Sequence, residues 1–285
     1  MKATPDCVAC IYRQALSTAR VLSKDPRMHM AMLDRVAMAM RGVSPEATTP
    51  AGLSQVVYRI ASELSGIRDP YLKIKQETNA AALRLLPDLA GLVRQSPDPL
   101  KAACRLAVAG NIIDFGIGDE FLIERDIKPF LQTEFAIDQY ADFQRELQPG
   151  RRVLYLGDNS GEIVFDRVLI EYLLQAGMRP TFVVKSAPII NDVTLDDARQ
   201  CGLADLVPVI GTGSDDIGIH WGHVSKEFQR AFDEADLVIS KGHGNFETCD
   251  DHAGNFYFLL KAKCHLVANH LGVRFGDLIF QHRST

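Results

Sequence analysis

A break at Gln148-Pro149-Gly150 constrains this chain more than any other feature. Before it, apolar residues recur at three- and four-residue spacing. After it, short apolar runs alternate with helical stretches. Over residues 7–21 the helical period is carried by Val8, Ile11, Tyr12, Ala15 and Ala19. Further helices are predicted over 28–40, 53–64, 71–86 and 99–111, with one or two more over 123–147. Thr49-Pro50, Asp69-Pro70 and Asp98-Pro99 mark starts, because proline suits the first turn and Thr or Asp can cap it. Beyond the break, strands are predicted over 153–156, 181–184, 206–210, 237–240 and 265–268, with helices over 162–174, 195–201 and 225–234. A helix is also expected to begin at Cys249-Asp250-Asp251. Continuous apolar strands separated by helices mean a parallel sheet covered on both faces. The expected fold is α/β: a helical N-terminal domain (1–148) packed on a doubly wound, mostly parallel α/β/α domain (149–285).

Composition narrows the class. Hydrophobic residues make up 47% and charged residues 24%, as in a soluble globular protein. Thirty-one basic against 36 acidic residues give a net charge of -5, which argues against a general nucleic-acid binder. No apolar run approaches the ~18 residues of a membrane span. Pro5 and Asp6 stand where a signal peptide would need an apolar core, so a cytoplasmic location is expected. The six cysteines are then expected to remain thiols.

In an open parallel sheet, ligands bind beyond the C-terminal ends of the strands. Three predicted strand ends are polar here: Gly157-Asp158-Asn159-Ser160-Gly161-Glu162, then Lys185-Ser186 with Asn191-Asp192, and Ser240-Lys241-Gly242-His243-Gly244-Asn245. Asp158, Asn159 and Asp192 would make an oxygen-rich set suited to Mg²⁺ or Mn²⁺ rather than structural zinc. They could equally shape a turn and cap a helix. Ser160-Gly161 precedes a helix whose free N–H groups could seat phosphate. Lys185 and Lys241 could neutralise phosphate oxygens, or lie solvated at strand flanks. The chain lacks the phosphate loop of an ATPase, and Gly211-Thr212-Gly213 is a poor dinucleotide fingerprint.

With these motifs in order along nearly the whole chain, the sequence resembles the damage-control phosphatases, metal-dependent enzymes first catalogued as domain of unknown function 89. The resemblance is carried by Pro5-Asp6-Cys7-Val8-Ala9-Cys10, Asp69-Pro70-Tyr71 with Lys75 and Asn79, and Gly110-Asn111-Ile112-Ile113-Asp114-Phe115. It continues through the Asp158, Asp192 and Lys241 motifs to Asn245-Phe246-Glu247. The paired cysteines and the Asn-Phe-Glu ending resemble the short prokaryotic branch; eukaryotic branches carry an arginine near Phe246-Glu247. The resemblance implies a divalent metal (Mn, Mg, Co or Ni) on Asp158, Asn159 and Asp192, and a phosphate contact from Lys241. It also implies that Asn111 and Asp114 approach the cleft from the helical domain, with Ser160, Gly161 and Asn245 around the substrate.

The expected activity is metal-dependent hydrolysis of a small phosphorylated metabolite, a sugar phosphate or a phosphopantetheine-like ester, with Asp158, Asp192 and Lys241 as its catalytic residues. Two alternatives are an S-adenosylmethionine-dependent methyltransferase, seated on the glycine after the first strand, and a non-catalytic sensor of phosphorylated ligands. Cys7 and Cys10 lack the preceding strand of a redox motif and two further zinc ligands at convincing spacing, which leaves helix packing as the plainer role. His243 lies inside the Lys241 loop, and His220 and His223 flank the lone Trp221 in a loop that could cover the cleft.

Overall fold

Two of the three predicted starts, Thr49-Pro50 and Asp98-Pro99, cap their helices, whereas the helix after Asp69-Pro70 begins at Leu72 with no side-chain cap. A computed structural model describes residues 1–110 and 127–284 of the chain. The first five long helices, α1 (Pro5–Leu22), α2 (Pro26–Ala39), α3 (Pro50–Ser65), α4 (Leu72–Arg94) and α5 (Pro99–Ala109), mostly open on proline. Asp25, Thr49 and Asp98 cap α2, α3 and α5 by accepting the N–H of Arg27, Gly52 and Lys101. α4 runs past the expected end at 86, carrying Pro87 within it. Ile11, Ala15, Ala19, Met32, Val36, Leu53 and Val57 form a core private to α1, α2 and α3.

Residues 127–147 hold a short helix α6 (Lys128–Leu131), a strand β1 (Phe135–Asp138) and α7 (Tyr140–Glu146), rather than helices alone. The second half continues β2 (Arg152–Leu156), α8 (Glu162–Gln175), β3 (Arg179–Val184), α9 (Leu195–Gln200), β4 (Val209–Gly211), α10 (Lys226–Asp233) and β5 (Leu237–Lys241). It ends with α11 (Gly242–Cys249), β6 (Asn255–Lys261), α12 (His265–Leu271) and β7 (Leu278–Ser284). The sheet order is β1-β7-β6-β5-β2-β3-β4, and every pairing is parallel except the antiparallel β6–β7.

Strand alternation sorts the side chains to two faces. Val153 and Tyr155 of β2 join one core with α4, α5 and α8, while Leu154 and Leu156 join another with α10, α11 and α12. This is the expected doubly wound sheet with a helical N-terminal region.

Four details differ from expectation. Residues 265–268 are not a strand: the Cys264 sulfur accepts the Val267 N–H at 3.4 Å and starts α12, which Gly272 ends at φ +68°. Cys249 closes α11 instead of opening a helix. Residues 206–207 lie in the turn before a shorter β4. The sheet also starts before residue 149, since β1 pairs with β7, and α4 and α5 pack on α8. Within the helical region, α1 to α3 share a core cluster of their own.

Candidate active site

β2 and β5 are neighbours although β3 follows β2 on the other side, so the sheet switches direction between β2 and β5. A crevice opens at such a point. Asp158 and Asn159 follow β2 there. The β3–α9 loop returns alongside them: the Val193 N–H donates to Asp158 O at 2.9 Å, the Ser160 N–H donates to Asn191 O at 2.8 Å, and Asn159 pairs with Asp192 in an isolated antiparallel bridge. That loop carries Ile190 at φ +47°, a conformation β-branched residues avoid, just before the Asn191-Asp192 pair. Gly242 begins α11 on the opposite wall at φ +76°, and a Cβ there would sit 1.9 Å from Asp158 Oδ2. Only glycine lets the β5 end approach that carboxylate.

Three expected ligands are thus brought together. The Asn159 side-chain amide donates to Asp158 Oδ2 at 2.8 Å, leaving its carbonyl oxygen as the atom available for a cation. Burial, with the negative charges of Glu162 and Asp192, pushes the Asp158 carboxyl well above its usual range. Burial also raises Asp192, against the opposing pull of Lys185 and Lys75. Glu162 Oε2 is buried and has no hydrogen-bond partner among the described residues. Crowded carboxylates with an unmatched acceptor are the chemistry a divalent cation would fit, and Asp158, Asn159 and Asp192 could offer it hard oxygen donors. Lys185 is buried; its ammonium donates to the Gly218 carbonyl and lies 3.8 Å from Asp192 Oδ2.

Other expected site residues lie beneath this surface. Lys241 is fully buried, and its ammonium donates to Glu162 Oε1 at 2.5 Å, Asp166 Oδ1 at 2.7 Å and Ala107 O at 2.6 Å. An ammonium has three donors, so none remains for a phosphate. The Tyr155 hydroxyl donates to the same Asp166 oxygen at 2.7 Å. The helix-start seat is also taken, since the Gly161 N–H donates to Asn79 Oδ1 at 2.6 Å. The Asn245 amide donates to Gly157 O at 3.0 Å and Lys241 O at 2.9 Å, bracing the β2 and β5 ends against each other. Asn111 and Asp114 lie outside the described residues.

The helical half reaches the site through α4. Lys75 and Asn79, which share a helix face, both reach Asp197: the Lys75 ammonium is 2.7 Å from Asp197 Oδ2, and the Asn79 amide donates to Asp197 Oδ1 at 2.9 Å. The sequence reading passed over Glu162 and Asp166. Their signal is two carboxylates four apart in an otherwise apolar helix turn, Glu162-Ile163-Val164-Phe165-Asp166.

Two cavities share Tyr58 and Ile190 in their walls, and neither is lined by Asp158, Asn159 or Asp192. One, of about 460 Å³, is bordered by Arg59, Arg68 and Tyr71; the other, of about 810 Å³, by Cys7, Cys10, His243 and Cys264. Cys7 Sγ accepts the Thr4 N–H at 3.5 Å, and all six cysteines are free thiols. His243 Nε2 lies 2.7 Å from Lys261 O and 3.0 Å from the Lys263 N–H, so it donates to the first or accepts from the second according to its tautomer.

The family model and the relatives that the chain matches define a hydrolase of phosphate esters. The chain belongs to the damage-control phosphatase ARMT1-like family, whose model matches residues 3–279. It is 32% identical to a damage-control phosphatase of Archaeoglobus fulgidus over 98% of both chains. It is 31% identical to one from Pyrococcus horikoshii, over 98% of this chain and 97% of that one. The crystal structure of a DUF89 family protein from Pyrococcus horikoshii superposes with a TM-score of 0.90 over 99% of both chains, at 30% identity. A partial match, 27% identical over 165 residues, covers 50% of this chain and 20% of a mouse 4'-phosphopantetheine phosphatase. These findings bear out the expected family, fold and phosphatase activity, and do not favour the methyltransferase or sensor readings.

Proposed function

We propose that this chain hydrolyses the phosphate monoester of a small metabolite, using a divalent cation held by Asp158, Asn159 and Asp192. The convergence of those three residues at the switch point, beside Gly242, carries the reading. When bound, the cation supplies charge neutralisation on the phosphate oxygens and polarisation of phosphorus. The chain's own residues do the rest. The β2 and β3 loops fix the carboxylates through backbone hydrogen bonds, so no ligand has to be ordered during the reaction. Lys185 supplies positive charge beside Asp192. Lys241 acts as a positioning residue, holding Glu162 and Asp166 under the floor.

Carboxylate and amide oxygens suit Mg²⁺ and Mn²⁺, and accept Co²⁺ or Ni²⁺. The two cavities that share Ile190, two residues before Asp192, would give room for a sugar phosphate or a phosphopantetheine-like ester. The mouse relative's name supports the second. Six free thiols support a cytoplasmic setting. Among the described residues no helix is long and apolar enough to cross a membrane.

The test is a screen of the metal-stripped protein against phosphorylated metabolites with Mg²⁺, Mn²⁺, Co²⁺ and Ni²⁺ in parallel. Phosphate release that needs the metal and is lost in Asp192→Asn supports the proposal; release independent of metal or of Asp192 overturns it.

A further inference from the structure

The loop from β4 to α10 is fastened from several sides. Thr212 N donates to Val184 O at 2.9 Å, Ile217 N to Gln55 Oε1 at 3.1 Å, and Ile219 N to Thr248 Oγ1 at 2.9 Å. The Trp221 indole donates to Thr248 O at 3.2 Å and stacks on His252 with ring centroids 3.4 Å apart. A tight turn then follows, with the His223 N–H donating to His220 O at 2.8 Å.

On this anchored backbone three side chains meet at the surface. Asp216, His220 and His223 each offer one ligand atom, all within 4.8 Å of one another. His223 Nδ1 is 2.8 Å from Asp216 Oδ2, and the two imidazoles stack with centroids 3.8 Å apart and planes 13° from parallel. Asp216 is half-buried and both histidines are exposed, so the rings can turn the short way needed to bring ligand atoms within bonding range of one ion.

We infer that Asp216, His220 and His223 form a second cation site, selective for a transition metal such as Zn²⁺, Ni²⁺ or Co²⁺ over Mg²⁺. Two imidazoles and one carboxylate are borderline donors that zinc-group chemistry prefers, whereas Mg²⁺ takes oxygen ligands and holds its waters. Three protein ligands leave a coordination position for water. The loop this ion would lock is the one whose Gly218 carbonyl accepts from Lys185. The site is therefore placed to sense transition metals beside the oxygen-ligand centre, with a different appetite from it.

The test measures Zn²⁺ uptake by the full-length, chelator-stripped protein using equilibrium dialysis and elemental analysis, with the Co²⁺ visible spectrum alongside. We expect His220→Ala/His223→Ala to bind one equivalent of Zn²⁺ fewer than wild type, with Mg²⁺ uptake unchanged. The same loss should appear when both proteins also carry Asp158→Asn, because the two sites share no ligand. Asp216→Asn, the milder change, should weaken that equivalent by at least about tenfold. Equal Zn²⁺ stoichiometry in wild type and the double variant, or unaltered affinity in Asp216→Asn, overturns the inference.

Discussion

Lys241 and Asp166 form an ion pair at 2.7 Å in which neither side chain has exposed surface. Glu162 completes the cluster at 2.5 Å from the same ammonium. Burial alone would lower the lysine pKa, but the two carboxylates outweigh it and hold the ammonium charged. Lys241→Met should therefore act first on folding. It strands two buried carboxylates, at a cost of about 3–5 kcal/mol, read from urea denaturation. A variant as stable as wild type that only binds phosphate more weakly would return Lys241 to the substrate.

Asp158 gives the opposite sign. Its carboxyl is raised by burial and by the charges of Glu162 and Asp192, so ionising it is uphill in the metal-free protein. Asp158→Asn should leave thermal stability without metal equal to or above wild type, while metal affinity falls at least about a hundredfold. Calorimetric titration and a melting curve check both halves. Wild-type metal affinity in this variant would remove Asp158 from the ligand set.

Gly242→Ala probes the approach of β5 to that carboxylate. The added Cβ would lie 1.9 Å from Asp158 Oδ2, at a φ of +76°. We expect a loss of at least about 1 kcal/mol of stability, together with weaker metal binding because Asp158 must move. Unchanged metal binding would mean that the carboxylate's position is not set by this contact.

Glu247 makes a pH dependence readable. Burial pushes its carboxyl from 4.5 up to about 7, against a backbone hydrogen bond from Ala51 and the nearby N-terminus. A raised carboxyl stabilises the fold while protonated. That share is whole below about pH 4.5 and is lost as pH rises through about 7. Glu247→Gln should match wild type near pH 4 and exceed it near pH 8 by on the order of 3 kcal/mol. Parallel denaturation curves at the two pH values decide it; equal gaps at both would rule out the buried carboxyl as the cause.

Much of the fold was legible because its signals are local. Thr49-Pro50 and Asp98-Pro99 cap helices wherever the chain goes afterwards. Asp158-Asn159 and Asp192 stood out because they follow buried parallel strands, where ligands bind, although Asp and Asn also shape turns and caps there. β6 was missed although Phe256 to Leu260 is a continuous apolar run directly after Gly254, the pattern of a buried strand. The direction of Lys241 was not legible. Its acid partners are 79 and 75 residues away, and nothing near a strand-end lysine says whether it turns outward to a ligand or down into the floor. The amides of Ser160 and Gly161 were open donors on paper for the same reason, since their acceptors, Asn191 and Asn79, come from other elements.

The fully buried carboxamide of Asn79 accepts from Gly161 and donates to Asp197, so one side chain of α4 touches the segments that follow both β2 and β3. The centre is consequently not a transplantable module. A fragment cut at Gly150 would keep Asp158, Asn159 and Asp192 yet lose the splint that aligns their loops, the β1 edge of the sheet and the helices covering one of its faces. Evolution could vary the inner core of α1 to α3 with comparative freedom, because that core is their own, but not Gln55 or Tyr58, which face the β4–α10 loop and the cavities. The stretch from α4 onward would have to change in concert with the sheet.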